Sequence, residues 1–158
     1  MKMRLHYAFL VLFVFMISSC SKEALENTVT VESENATTVE NDLLELVNNY
    51  RLTSGYNSLL FSDIAYKYAN IHTDYMISKG SINHYNFSSR ASSVSAEVNA
   101  ISVSENVARN YETAAIAFEH WMNSTDHRKA IEGDFTHTAI SIKKDQNGNF
   151  YFTEIFYK

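Results

Sequence analysis

The sequence predicts an α+β domain in which helices flank an antiparallel sheet. Three observations carry this: helical periods fill the first part of the globular unit, β-rich runs close it, and an Asn-Gly signal joins the last two runs. Taken in order, Leu43, Leu46, Val47 and Tyr50 fall at helical spacing, with Asp42 in the first turn and Gly55 in the exit loop. Ser62, preceded by Phe61, is an N-cap candidate for a second helix that Gly80 stops. That helix carries two neighbouring stripes, Ile64-Tyr68-Ile71-Tyr75 and Ala65-Ala69-His72-Met76, a breadth that predicts burial against both a sheet and another element. Phe87 to Ala96 reads as a short Ser-rich helix, Ile101 to Val107 as a strand and Thr113 to Met122 as a third good helix. Ser124 is placed to cap a further short helix that ends before Gly133. Strands Thr136 to Lys143 and Asn149 to Tyr157 then flank Asp145-Gln146-Asn147-Gly148, a hairpin signature.

Composition narrows what such a domain can do. The chain has 158 residues, 46% hydrophobic and 20% charged, which suits one domain with a real core. Its single cysteine excludes an intrachain disulfide and every Cys-rich zinc module. The formal net charge is −5, so binding to nucleic acid has no electrostatic support.

The charge is unevenly distributed. Residues 1–19 hold Lys2 and Arg4 and no acid, followed by an apolar run of 11 residues from Tyr7 to Ile17. That run is shorter than the roughly 20 residues needed to span a bilayer, and it fits the apolar region of a secretory signal. Small residues in Met16-Ile17-Ser18-Ser19 precede Cys20. Residues 21–40 carry five acids and one base and have no helical period, the pattern of a solvated tether, with an edge strand through Thr28-Val29-Thr30-Val31 as the alternative. The globular unit is expected to span residues 41–158.

Within that unit the chemistry concentrates at three places. His84 follows the glycine that ends the second helix, in Ile82-Asn83-His84-Tyr85-Asn86-Phe87. Glu105 lies at the end of the first long strand, in Ser104-Glu105-Asn106-Val107-Ala108. His127 occupies the first turn of the capped helix, in Trp121-Met122-Asn123-Ser124-Thr125-Asp126-His127-Arg128. Two imidazoles and a carboxylate are suitable ligand types for zinc. They are 21 and 22 residues apart, however, so spacing alone makes no site, and each His reads equally well as a hydrogen-bonded structural residue.

The order of these motifs, closed by Tyr151-Phe152-Thr153-Glu154-Ile155-Phe156, resembles a bacterial CAP-superfamily domain, the SCP-like family of cysteine-rich secretory, antigen 5 and pathogenesis-related proteins. Leu46-Val47-Asn48-Asn49-Tyr50-Arg51 is similar to the family's first helix. The resemblance implies a three-layer α-β-α sandwich with a central cleft. It implies that His84, Glu105 and His127 line that cleft and, as in some members, hold zinc or another divalent metal. Ser124 stands where many eukaryotic members have a second glutamate, so it joins the cleft as a helix cap whose hydroxyl accepts a backbone N–H near His127. Ser18-Ser19-Cys20 similarly resembles a lipoprotein cleavage site, which implies an acylated Cys20 anchoring the chain to the bacterial outer membrane. Ser21-Lys22-Glu23 resembles a surface-export signal.

Other ionisable residues read as structural. His72 lies on an Ala/Met stripe, His120 precedes the core candidate Trp121, and His137 opens a strand. Glu154, if buried, needs a partner such as Arg51 or Arg90. Two function classes remain open. One is an envelope-anchored binding module for a lipid, cell-wall or protein ligand. The other is a peptidase-like hydrolase using His84 or His127 as base, with Glu105 orienting it and with or without a metal.

Overall fold

A computed structural model describes residues 33–158, leaving Cys20, the secretory signal and most of the expected tether outside the described residues. The elements run α1 (Thr37–Thr53), β1 (Leu60–Phe61), α2 (Asp63–Lys79), α3 (Phe87–Val98), β2 (Val103–Arg109), α4 (Ala114–Asn123), α5 (Thr125–Ile131), β3 (His137–Lys144) and β4 (Phe150–Tyr157). The strands form one sheet in the order β1-β3-β4-β2. β4 is antiparallel to both β3 and β2, as expected, whereas the two-residue β1 pairs in parallel with β3. β1 was missed because only its partner defines it; two residues show no period of their own.

Strand alternation sorts side chains into two layers. Phe152 and Phe156 of β4, Ile140 and Ile142 of β3 and Ala108 of β2 pack with Leu43, Val47, Ala117 and Trp121, so α1, α4 and α5 cover one face. Ile155, Tyr157 and Ala139 pack with Ala65, Ala69 and Val94 from α2 and α3 on the other. The result is the three-layer α-β-α sandwich. Small residues on α2 let its axis approach the sheet closely, and Thr73 spans the gap by donating to the Thr153 hydroxyl at 2.9 Å.

Local signals explain the helix ends. Ser62 is extended and its hydroxyl accepts the Ala65 N–H at 3.1 Å. Gly80 closes α2 in the left-handed region at φ 62°. Thr113 caps α4 by accepting the Ile116 N–H at 3.2 Å, so it precedes the helix and is not part of it. In the β3–β4 turn, one Asp145 oxygen accepts the N–H groups of Asn147 and Asn149, both at 2.9 Å, and Gly148 takes φ 83°.

Two boundaries differ from the expectation. β2 covers Val103–Arg109, two residues later than read, because Ile101 is exposed. At the other end, α1 starts at Thr37, inside the segment read as tether. Glu40 explains the shift. Its side chain turns inward, accepts the Ile142 N–H at 2.8 Å, the Asn35 amide at 2.6 Å and the Tyr66 hydroxyl at 2.9 Å, and so fastens this segment to β3. An acid that read as solvating is a structural acceptor.

Candidate functional site

β2 is the free end of the sheet, and alternation along it sends neighbouring residues to opposite layers. Val107 packs with Met76 on the α2 side while Ala108 packs with the α1 and α4 core. Glu105 therefore faces α2 and α3, and Asn106 faces α5. Two consecutive residues bring the layers together around one strand edge.

On the first side, Glu105 is the hub, with only 1% of its side chain exposed. Its Oε1 accepts from His84 Nδ1 at 2.8 Å, and its Oε2 accepts from Arg90 Nε at 2.7 Å. Arg90 Nη2 lies 2.6 Å from the same oxygen, without a well-aligned bond of its own. A buried carboxylate without such partners would cost several kcal/mol, on the order of 3–5 when one partner is removed. His72 reaches toward Glu105 Oε1 from α2 at 3.7 Å, with its side chain 1% exposed. Its Nε2 donates to the Asn83 carbonyl at 2.7 Å, and burial holds its pKa below the usual histidine range. His72 is thus a neutral donor packed in the site, not a residue apart from it.

These contacts fix the loop that carries His84. Asn83 Oδ1 accepts the Tyr85 N–H at 2.9 Å, Arg90 Nη1 donates to the Tyr85 carbonyl at 3.1 Å, and Asn86 takes the left-handed conformation that asparagine tolerates. The His84 side chain stays 51% exposed. With Nδ1–H given to Glu105, its Nε2 is the outward acceptor.

On the second side, Asn106 Nδ2 donates to the His127 carbonyl at 3.1 Å, which ties α5 to β2. The His127 ring lies 6.4 Å from the Trp121 ring, and the Trp121 indole N–H donates to the Val107 carbonyl at 3.3 Å. Burial lowers the His127 pKa, protonation of His84 opposes protonation of His127 further, and Asp126 counters both. The two imidazoles are thus near enough for a proton on one to oppose a proton on the other, although His127 makes no direct hydrogen bond to Glu105.

Ser124 corrects an expectation. It occupies the junction of α4 and α5, but its hydroxyl caps neither; its N–H bonds back to His120 and Trp121 carbonyls, and its own carbonyl accepts the Arg128 N–H at 2.9 Å. Its backbone is extended like that of Ser62 and Thr113, but its hydroxyl makes no bond to the first N–H groups of α5.

The other ionisable residues lie elsewhere. His120 stacks on Tyr111 with centroids 4.3 Å apart, and His137 stacks on Tyr157 at 4.8 Å. Neither expected partner pairs directly with Glu154: Arg90 is spent on Glu105, and Arg51 donates to the carbonyls of Asn57 and Gly133. Fully buried Glu154 instead meets the Thr138 hydroxyl at 3.2 Å, and burial raises its pKa to about 8, so it is held neutral.

As arranged, the donors do not fit a divalent cation. Both Glu105 oxygens are engaged, one by a guanidinium, the His72 proton is committed, and among the described residues no group of three or more His, Cys, Asp or Glu side chains is gathered around a common point. Sequence reasoning missed Arg90 and His72 as members of this site. The signal for Arg90 was that it is the only Lys or Arg between Lys79 and Arg109; for His72 none stood out from its apolar stripe.

Comparison with known proteins agrees with this architecture. A solved structure of an outer surface protein from Borrelia burgdorferi superposes with a TM-score of 0.72, at 18% identity, over 80% of this chain and 96% of that one. An extracellular protein containing a SCP domain from Bacillus anthracis str. Ames gives 0.68 at 19% identity over 77% and 41%. At such identities these show the fold alone. The uncharacterized membrane protein YlbC of Bacillus subtilis (strain 168) is 29% identical over 128 residues, 77% of this chain, which spans only 35% of that relative's length. The model of the CAP family, described as the cysteine-rich secretory protein family, matches residues 44–156, and the chain belongs to that family.

Proposed function

We infer that this chain is an envelope-anchored CAP-domain protein that binds a lipid, cell-wall or protein ligand at the edge of β2, between His84 and His127. The observation that carries the reading is the internal engagement of the site. Glu105 is neutralised by Arg90 and bonded to His84, while His84 Nε2 and the half-buried His127 ring remain available to a ligand. Such a constellation recognises; it holds no activated nucleophile. Anchoring rests on the resemblance of the segment ending at Cys20 to a lipoprotein signal. The names of the relatives, an outer surface protein, an extracellular protein and a membrane protein, support an envelope location.

One observation favours the hydrolase reading: a His–Glu pair at 2.8 Å with the other ring nitrogen outward is the arrangement of a general base. Arg90 argues against it, because a carboxylate already balanced by a guanidinium stabilises an imidazolium less. Metal chemistry is not required in either reading.

The test is to present lipid-extract vesicles, isolated wall fragments and a peptide digest separately to the purified protein and follow the imidazole NMR signals of His84 and His127. One preparation is expected to shift both signals without being changed itself, and to lose its effect on His127 in His84→Ala. Cleavage products appearing with wild type but not with His84→Ala would favour the hydrolase. No response to any preparation would end the binding reading.

A further inference from the structure

Beside the His84 imidazole lies a feature that the His–Glu network does not use. Tyr85 is 56% exposed, yet its ring is not free: it stacks on Tyr75 with centroids 5.1 Å apart and planes 15° from parallel. Tyr75 in turn lies nearly parallel to the buried His72, at 6.0 Å and 14°. A ladder of three rings thus runs from the buried network to the surface and fixes the orientation of the outermost ring. Arg90 holds the Tyr85 carbonyl and Asn83 holds its N–H, so the backbone beneath the ring is fixed as well. Ile82, in the same loop, is 47% exposed.

We propose that Tyr85, with His84 beside it, forms a subsite for a pyranose ring of a glycan. This rests on the binding reading above and names its ligand class. Three properties of the site select that chemistry. A flat aromatic face backed by another ring favours a ligand with a flat, weakly polar C–H face, and tyrosine supplies large contact area with little loss of conformational freedom. The preceding residue in the loop, His84, has Nδ1 on Glu105, so its neutral imidazole offers Nε2 as an acceptor for a hydroxyl. The charge at the centre is cancelled within the protein, since Glu105 faces Arg90, so the site is matched to an uncharged ligand and not to an ion. A nucleobase would use the same ring, but its phosphates meet a chain of net charge −5. A lipid tail needs an enclosed apolar space. Two open grooves among the described residues, of about 350 and 330 Å³, lie between α1 and α4 and beside the β3–β4 turn, away from this loop.

The test uses the mature protein and a panel of soluble tetrasaccharides, β-1,4-linked N-acetylglucosamine, β-1,4-linked glucose and α-1,4-linked glucose, with lipid vesicles and a peptide digest as the other arms. The readouts are NMR shifts of the Tyr85 ring and the His84 imidazole, and the dissociation constant. At least one tetrasaccharide is expected to shift both residues. Tyr85→Phe, which keeps the ring, should bind within about twofold of wild type, and Tyr85→Ala should lose about tenfold or more. Tyr85 is exposed, so its replacement leaves the core untouched, and an unchanged unfolding midpoint confirms that. The proposal is overturned if no tetrasaccharide moves Tyr85, or if Tyr85→Ala binds as well as wild type. Should vesicles or peptides shift His84 and His127 while no sugar moves Tyr85, the glycan assignment falls and the binding reading stands. If no arm moves any of the three, both fall.

Discussion

Arg90 shows how much of the site depends on one residue whose role is set by a distant contact. It is the buried counter-charge of Glu105 and a clamp on the Tyr85 carbonyl at once. Arg90→Met should destabilise the domain by about 3–5 kcal/mol in urea unfolding, because it strands a buried carboxylate, and Arg90→Lys should recover part of that loss. Glu154 obeys the opposite logic. Burial lifts its folded pKa to about 8, above the ordinary 4.5, so between these values the folded chain keeps a proton that the unfolded chain releases. Its contribution is fully present below the ordinary carboxyl range and is lost as pH rises toward 8. Unfolding measured across that window should show stability falling with pH in wild type, and Glu154→Gln should remove that component of the slope. The residue types at the site were legible in the sequence, because His84, Glu105 and His127 carry recognisable neighbours. Their wiring was not. The Arg90–Glu105 bond spans 15 residues, and nothing local distinguishes His72 from the apolar stripe around it.

At the scale of elements, caps and turns were readable and pairings were not. Ser62, Gly80, Thr113 and the Asp145–Asn149 turn act through hydrogen bonds within four residues, which a sequence displays directly. β1 exists only because Leu60 and Phe61 lie beside His137 and Thr138. Ser124 has the sequence context and the extended backbone of a cap, yet its hydroxyl caps neither helix, because side-chain rotamers are not displayed by a sequence. The start of α1 gives a prediction at this scale. Glu40 accepts from three groups on three segments, so Glu40→Ala should cost about 1–3 kcal/mol by leaving the Ile142 N–H and its neighbours unpaired. A chain beginning at residue 41 should unfold at lower urea than one beginning at residue 33, and equal midpoints would restore the longer tether.

At the scale of the whole molecule, the proposed reading joins an acylated Cys20 to the sandwich domain, as a recognition surface held at a membrane. Two or more acyl chains would hold it there durably, at about 0.8 kcal/mol per buried methylene. Cys20→Ser should therefore move the protein from the membrane fraction to the soluble one, and unchanged fractionation would remove the anchor. Helices flanking an antiparallel sheet were visible in the helical stripes and the closing hairpin, whereas the three layers came with the family resemblance. Convergence around the edge of β2 was not visible, because it depends on consecutive residues, Glu105 and Asn106, serving opposite layers. That convergence is most directly tested by titrating the His127 imidazole by NMR in wild type and in His84→Phe. Removing an imidazole that repels a proton on His127 whenever it is itself protonated should raise the His127 pKa. A His127 titration that is the same with and without His84 would place the two histidines in separate surroundings and contradict the shared site.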